Sequence, residues 1–449
     1  MGGRMFHLPQ DVKFIIDNLT EHGYEAYAVG GCVRDTLLSR IPGDWDITTS
    51  AKPEQVKEIF SHTIDTGIEH GTVTVMRNHV GYEVTTYRID GEYEDARHPK
   101  EVTFTANLVE DLKRRDFTIN AMAYNHQTGL VDEFDGIGDL EQKIIRCVGN
   151  PMERFSEDAL RMLRAVRFSA QLGCTIEEHT KEAIRQLAPT IAKVSVERIT
   201  TELVKILVSD NPQEIKTAYE LGLTKIFLPE FDVMMETPQN TKHHMYSVGE
   251  HTIETLKNIP NDRIMRISML FHDIAKPESH TVDEKGSHFK GHPQKGVEKT
   301  KKIMRRLKFD NDTIDKVTRM VRYHDERPKM ANPLEVRKLI SDVGPTYIPM
   351  LLAIKKADTL AQSLYRREEK LNYIAQLEAF YQNCMEQGVC LQKKDLKVNG
   401  KDLIELGMKQ GKNIGFVLEQ LYQAVLEKPE LNNKETLLEL ANKFMSSFI

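Results

Sequence analysis

The sequence predicts an α+β protein, a mixed-sheet head followed by all-helical segments. Three observations carry this prediction. Over residues 1–150, short β-branched or aromatic runs (25–29, 45–48, 72–76 and 82–87) alternate with helical stretches. From Pro151 onward, apolar residues recur every three or four positions, as in FSEDALRMLRAVRFSAQL and VERITTELVKIL. Beyond Lys242 the pattern stays helical and becomes rich in histidine, and a final helical stretch is broken by Gly388, Gly400, Gly407, Gly411 and Gly415.

A chain of 449 residues exceeds one ordinary core, so roughly two to four domains are expected. We place them at 1–150 (head), 151–235 (helical neck), 236–367 (histidine-rich domain) and 368–449 (helical tail). Residues 229–241, with Pro229, Pro238 and Asn240, are expected to form a loop near the second boundary. Hydrophobic residues at 40% and charged residues at 29% suit a soluble globular protein and exclude a disordered one. No apolar run approaches the roughly 20 residues that span a bilayer, and the start lacks a signal-peptide pattern. The expectation is therefore a cytoplasmic protein without a membrane partner; the opening MGGRM is given no function. The five cysteines (Cys32, Cys147, Cys174, Cys384, Cys390) lack C-x-x-C spacing and read as buried thiols. A net charge of −6 argues against a uniformly basic nucleic-acid binder, yet a local basic groove suffices to engage RNA phosphates.

In AYAVGGCVRDTLL a strand passes through Gly30 and Gly31 into a helix. Such a junction lets backbone N–H groups approach phosphate, and Arg34 on the first helical turn can add a charged fork. In isolation a tight structural turn explains the glycines equally well. The segment DWDITTS follows, and alternation along a strand would send the Asp44 and Asp46 side chains to one face. Two carboxylates so close repel unless cations lie between them, which suits Mg²⁺ with its preference for oxygen ligands and substrate phosphates. Two solvated aspartates would be the better reading of a lone D-x-D; the Gly-Gly-Arg element upstream favours the metal. Glu83, in YEVTTYR, is either a third carboxylate for this site or an ordinary strand residue.

Together GGCVRDTLL, DWDITT, KRRDFTINAMA (113–123) and SEDALRMLRAVRF (156–168) resemble the class II branch of the nucleotidyltransferases, which holds bacterial tRNA nucleotidyltransferases and poly(A) polymerases. The resemblance covers about the first 230 residues and implies a polymerase β-like head. It implies that Asp44 and Asp46 are the catalytic metal-binding pair and that Gly30, Gly31 and Arg34 cradle phosphate. Arg115 would hold the triphosphate, and Asp116 and Asn120 would contact or position the ribose. Asp158 and Arg161 would read the base, helped by Arg164 and Arg167, with Glu157 bracing the helix. The three-residue spacing of Asp158, Arg161 and Arg164 places them along one helix face, where a salt-bridged surface is the plainer alternative. Chemistry favours base reading. A carboxylate accepting from the exocyclic amine and a guanidinium donating to the ring nitrogen satisfy cytosine and adenine, whereas uracil and guanine present the reverse pattern.

Within that family, DTGIEHGTVTV stands where poly(A) polymerases carry a basic segment, and the loop YRIDGEYEDARHPKEVTF is intact. Complete CCA addition to the tRNA 3′ end from CTP and ATP is therefore expected, with A-only addition or poly(A) synthesis as alternatives. Downstream, His251, the pair His272-Asp273, His292, His324 and Asp358 resemble the HD phosphohydrolase pattern. That resemblance implies a divalent metal of unspecified identity on His251, His272, Asp273 and Asp358, and a second ion or a phosphate on His292 and His324. His280 and His288 are read as bystanders in a polar loop. LKVNGKDLIELGMKQGKNIGFVLEQL resembles the segment that binds the tRNA body, although solvated lysines on a helical hairpin explain it as well. A rival reading from another class is an HD hydrolase whose head only senses nucleotides; the intact Asp44, Asp46, Asp158 and Arg161 speak against it. The oligomeric state is left open.

Overall fold

The computed structural model describes residues 6–91, 93 and 101–446. Most of the tip of the 87–104 loop and the opening MGGRM lie outside them. The chain forms two compact units, Met1–Pro229 and Glu230–Ile449.

The first unit opens with the helix Gln10–Glu21, whose Val12, Ile15, Ile16 and Leu19 are buried at helical spacing. Strands follow at Ala26–Val29 (β1), Asp46–Thr49 (β2), Thr63–Gly67 (β3), Thr72–Arg77 (β4) and Val80–Thr86 (β5). After them come Arg88–Asp90 (β6), Val102–Phe104 (β7), Ala123–Asn125 (β8) and Gly129–Val131 (β9). Seven of these make one mixed sheet in the order β3-β4-β5-β2-β1-β8-β9, in which β2 and β5 run parallel and the other pairs antiparallel. β6 and β7 pair separately, at the base of the 87–104 loop. The register sets Val29, the last residue of β1, opposite Asp46, the first of β2. The Gly30-Gly31 turn is thereby brought to the end of the strand that carries Asp46.

Two expectations on the head are corrected. β2 starts at Asp46, so Asp44 lies in the bend before it and does not alternate with Asp46 along a strand. The predicted strands differ at their ends by one or two residues, and β3, β6, β7, β8 and β9 were not predicted, β6 and β7 lying in the segment expected as a loop. β3 is a largely exposed TIDTG edge, while β8 and β9 have three residues each, too few to show a period.

The neck is helical, and its helix Val196–Leu207 buries Ile199, Leu203, Ile206 and Leu207. The reading of 156–168 as one helix face is corrected here. Helices Pro151–Glu157 and Leu160–Leu172 are separated by Asp158, which is extended (φ −141°) and accepts a hydrogen bond on Oδ1 from Leu160 N at 3.1 Å. A short acceptor side chain at that point competes for the first free N–H of the next helix, so it breaks a run that spacing alone continues.

The second unit is helical except for a hairpin, Thr281–Asp283 with Gly286–His288. That hairpin replaces the expected polar loop; His288 lies on its second strand and His280 just precedes its first. Residues 229–235, expected as loop, form the helix Pro229–Met235, with Pro229 as its first residue, Glu230 and Asp232 in the first turn, and Phe231 and Met234 buried. The helices His292–Arg306 and Asn311–Tyr323 pack closely because Gly296 faces Val321, whose Cγ1 would stand 3.0 Å from an added Cβ. The tail packs its own core, including Leu403, Val417, Leu421, Val425 and Leu437. All five cysteines are buried free thiols, and burial raises that of Cys32 to about 11. Among the described residues no helix is long and apolar enough to cross a membrane.

Candidate functional site

Gly30 adopts φ 82°, a conformation that favours glycine, and a Cβ there would stand 3.2 Å from Arg115 Nη1. The turn is thus fitted closely around an arginine. Arg115 is mostly buried, its Nε finds no hydrogen-bond partner, and burial followed by the neighbouring Arg114 lowers its pKa. Asp46 reaches solvent but is recessed against protein. Its carboxyl is raised above the ordinary value by loss of water, then by Glu83, against the pull of Arg115, with Asp44 adding to the rise. A carboxylate crowded by two others and faced by one arginine is short of positive charge. An all-oxygen donor set of this kind fits a hard cation such as Mg²⁺.

A hydrogen-bond chain runs from this turn to the neck. Arg34 Nη1 donates to Asn120 Oδ1 (2.6 Å), and Asn120 Nδ2 donates to Asp116 Oδ1 (3.2 Å). Arg164 donates to Asp116 Oδ2 through both Nε (2.9 Å) and Nη2 (2.7 Å). Burial alone would raise the Asp116 carboxyl, but Arg164 and Arg161 overcome it and bring the pKa down to about 2. The guanidinium carbons of Arg34, Arg164 and Arg167 lie 5.1, 5.3 and 4.2 Å from the centre of the Phe168 ring. Each also has its own carboxylate, Asp35, Asp116 and Glu202 respectively. Three guanidiniums around one ring repel one another, and a polyanion would relieve that repulsion.

Asp158 and Arg161 do not pair with each other. Arg161 donates to Glu157 Oε2 (2.6 Å) and to Arg114 O (3.1 Å), and Glu157 also accepts from Arg154 at 2.5 Å. Asp158 is held by Arg198, with Nη2 to Oδ2 at 2.8 Å and Nη1 to Oδ1 at 3.4 Å. Sequence reasoning missed Arg198; it stands 40 residues away on another helix, and its only local signal is ERI at the start of a helical run.

In the second unit the helices converge six side chains. His251 Nε2 lies 2.8 Å from Asp358 Oδ1, and His272 Nε2 lies 3.1 Å from Asp273 Oδ2. His292 and His324 approach Asp273 Oδ1 at 3.2 and 3.5 Å. His251, His272, Asp273 and Asp358 form one group with ligand atoms within 4.8 Å of one another, and Asp273, His292 and His324 form another. The Nδ1–H groups of His272, His292 and His324 donate to the carbonyls of Met269 (2.6 Å), Phe289 (2.9 Å) and Val321 (2.7 Å). Carbonyls only accept, so in the neutral rings every Nε2 turns a lone pair inward. His292 Nε2 and His324 Nε2 then face each other at 3.3 Å, two lone pairs with no proton between them. His272 Nε2 is buried without an aligned hydrogen bond, 3.1 Å from Asp273 Oδ2, an oxygen that already has Lys276 Nζ at 2.9 Å. These unmatched acceptors fit a divalent ion, and the mixed nitrogen and oxygen set suits a transition metal. Two neighbours escaped sequence reasoning. Lys276 pairs with Asp273 (2.9 Å), and the ring centre of His244 lies 4.9 Å from that of His251. Burial, then Lys276 and His251, lowers His244 to about 3.

Comparison with known proteins places these features in context. Residues 26–146 match the poly A polymerase head domain, 173–235 a probable RNA and SrmB-binding site of polymerase A, and 294–441 a putative tRNA nucleotidyltransferase domain 2. The chain is 33% identical over 447 residues to a CCA-adding enzyme of Leuconostoc mesenteroides, covering 99% of each chain. It is 36% identical over 438 residues to that of Enterococcus faecalis, covering 96% of this chain and 94% of the other. Among solved structures it resembles the Bacillus stearothermophilus CCA-adding enzyme in complex with CTP, with TM-score 0.72, 31% identity, and coverage of 98% and 99%.

Proposed function

We infer the chemistry from one premise: the chain belongs to the family of CCA-adding enzymes. It is a tRNA nucleotidyltransferase that adds or repairs the 3′-terminal CCA of tRNA from CTP and ATP. What we propose is how its residues do so. The observation that supports the proposal is the register of Val29 with Asp46, which sets the Gly30 turn, Arg115 and the carboxylates side by side.

Asp44 and Asp46 would hold Mg²⁺, which would lower the pKa of the RNA 3′-hydroxyl and would neutralise charge on the departing pyrophosphate. Arg115 and Arg34, with the N–H groups of Gly30 and Gly31, bind the triphosphate. Asp116 and Asn120, held rigid by Arg164 and Arg34, position the ribose. Arg167 adds positive charge near Phe168. A bond then forms from the 3′ oxygen to the α-phosphorus as the bond to the β-phosphate oxygen breaks. Asp158 and Arg161 read the base, and both must leave or share their present partners to do so, Asp158 from Arg198 and Arg161 from Glu157. We assign catalysis to 1–150, base reading to 151–235, metal-dependent phosphoester hydrolysis to 236–367 and tRNA-body binding to 368–449, in a cytoplasmic enzyme. The hydrolase assignment is supported by the facing lone pairs of His292 and His324 and the unbonded His272 Nε2. His251, His272, Asp273 and Asp358 would hold one divalent ion, and His292 and His324 a second ion or the phosphate.

Incubating the protein with tRNA transcripts ending before, within and after CC, with CTP and ATP together and singly, tests the assignment. Extension of all three to a complete CCA end is expected. Extension only of the transcript ending in CC would mark an A-adding enzyme, and long A tails a poly(A) polymerase.

A further inference from the structure

Asp111, in the short helix Leu108–Lys113, is a carboxylate wholly shielded from solvent that has no part in the chemistry assigned to the head. Its surroundings are those of a junction. Oδ2 accepts from the Thr48 hydroxyl at 3.0 Å, and Oδ1 accepts from Arg88 N at 3.1 Å and from Arg114 Nε at 3.2 Å. Arg115 Nη2 stands 3.9 Å from Oδ2, beyond hydrogen-bond reach but close enough for charge to act. One carboxylate thus gathers β2, the first residue of β6 and two consecutive arginines.

Three of these contacts lead toward the nucleotide site. Thr48 follows Asp46 by two residues on β2, so strand alternation sends both side chains to one face. Arg115 is held at both ends, Nη2 toward Asp111 and Nη1 against the Gly30 turn, where a Cβ would stand 3.2 Å away. Arg114 O accepts from Arg161 Nη2 at 3.1 Å. Arg114 and Arg115 are like charges on adjacent, mostly buried side chains. The effect of Arg114 on Arg115 is opposed first by Asp111, then by Asp46 and Asp116. Asp116 is already bound twice by Arg164, and Asp46 would be taken up by metal, which leaves Asp111 as the standing counter-charge. Without it, two guanidiniums would lie side by side in a site short of water, with no charge fixed between them.

Resting on the reading of Arg115 as a triphosphate ligand, we propose that Asp111 is a positioning residue of nucleotide addition. Its charge holds Arg115 against the phosphate turn and, through Arg114, fixes the carbonyl that orients Arg161 for base choice. Asp111 itself stays buried behind both arginines and acts through them.

Nucleotide addition by the full chain, with pyrophosphate as inhibitor, tests this. Pyrophosphate has neither base nor ribose, so it reports on the phosphate turn alone. Asp111→Asn keeps the shape and removes the charge. It should raise KM for CTP and ATP and the inhibition constant of pyrophosphate about tenfold, with kcat changed by less than about threefold. Preference for CTP over UTP should fall by about threefold. Adding Arg114→Gln removes the repulsion that Asp111 offsets, so the double variant should regain most of the affinity for pyrophosphate. Thr48→Val, which removes one donor to Asp111, should move KM and pyrophosphate inhibition in the same direction by about twofold. Circular dichroism verifies the fold of each. Unchanged pyrophosphate inhibition in folded Asp111→Asn, or in Thr48→Val if the former does not fold, overturns the proposal. A fall in kcat with KM unchanged, or no rescue by Arg114→Gln, does the same and leaves Asp111 a packing residue. Arg115→Ala separates the two readings. If it weakens pyrophosphate and Asp111→Asn does not, the triphosphate role of Arg115 stands and only the role of Asp111 falls; if neither does, both fall.

Discussion

In the head, Asp44 and Asp46 stand exposed at the start of a strand, whereas Asp273 and Asp358 in the second unit are buried among four imidazoles. Asp46 has like-charged Glu83 and Asp44 beside it and a partly shared Arg115 facing it, which leaves the pair short of positive charge. The second pair is compensated in place: against the opposing effect of burial, His272 and Lys276 hold Asp273, and His251 and His272 hold Asp358, well below the ordinary carboxylate range. In the proposed reading, an open site of this kind would change partners at every addition, and a closed one would keep its ion. The difference also separates function from stability, because exposed ligands can be removed without harming the core and buried ones cannot.

The largest expected effect breaks the open site. Asp44→Ala or Asp46→Ala should lower nucleotide addition by about a thousandfold or more while moving stability by no more than about 0.5 kcal/mol. Normal incorporation at ordinary Mg²⁺ would sink the proposed role of the pair. Next, His272→Ala with Asp273→Ala should empty the closed site of metal, measured by elemental analysis, and abolish phosphoesterase activity while sparing CCA addition. Its melting temperature should fall, since Lys276 is left buried without its carboxylate. Loss of both activities in a protein that still folds would show that the two sites are not independent.

Three smaller effects sharpen the picture of the neck. Asp158→Ala should cost CTP and ATP roughly 1–3 kcal/mol in kcat/KM and reduce discrimination against UTP and GTP. Equal slowing with all four nucleotides would make Asp158 a structural brace. Asp116 sits at about 2 in the folded protein, below the ordinary 3.8, so it stabilises the fold above pH 3.8 and that contribution is lost as pH falls toward 2. Asp116→Asn should flatten this acid limb, on the order of 2 kcal/mol in denaturant titrations between pH 5 and about 2. A slope identical to wild type would mean that Arg164 does not hold the carboxylate in solution. Least of all, Arg198→Ala should change CTP over UTP selectivity by a few-fold, roughly 1 kcal/mol or less for a partly exposed pair. Arg198→Lys should recover part of it. A selectivity identical to wild type in both would leave Arg198 with a packing role only.

Much of this is legible in the sequence. Residue types at short spacing announced the Gly30-Gly31 turn, the Asp44 and Asp46 carboxylates and the His272-Asp273 pair. Each is a run of neighbouring residues, legible from residue type without a partner from elsewhere in the chain, although the strand period misplaced Asp44, which lies in the bend before β2. The helix at Pro229 was missed because its proline was read as a breaker when it occupies the first turn, where its lack of an N–H costs nothing. The hairpin at 281–288 was missed because its first strand is wholly exposed and shows no apolar alternation.

The sequence by itself determined the α+β order and the helical neck, because these depend on composition and short periods; the candidate site residues were named through resemblance to the family's motifs. Only the tertiary structure decided the partners. Asp158 with Arg198, Arg34 with Asn120, and His251 with Asp358 are separated by 40, 86 and 107 residues, respectively. No local pattern encodes such pairs. They arise when helices and strands bury their apolar faces together, and burial then requires every polar group left inside to find a partner or a ligand.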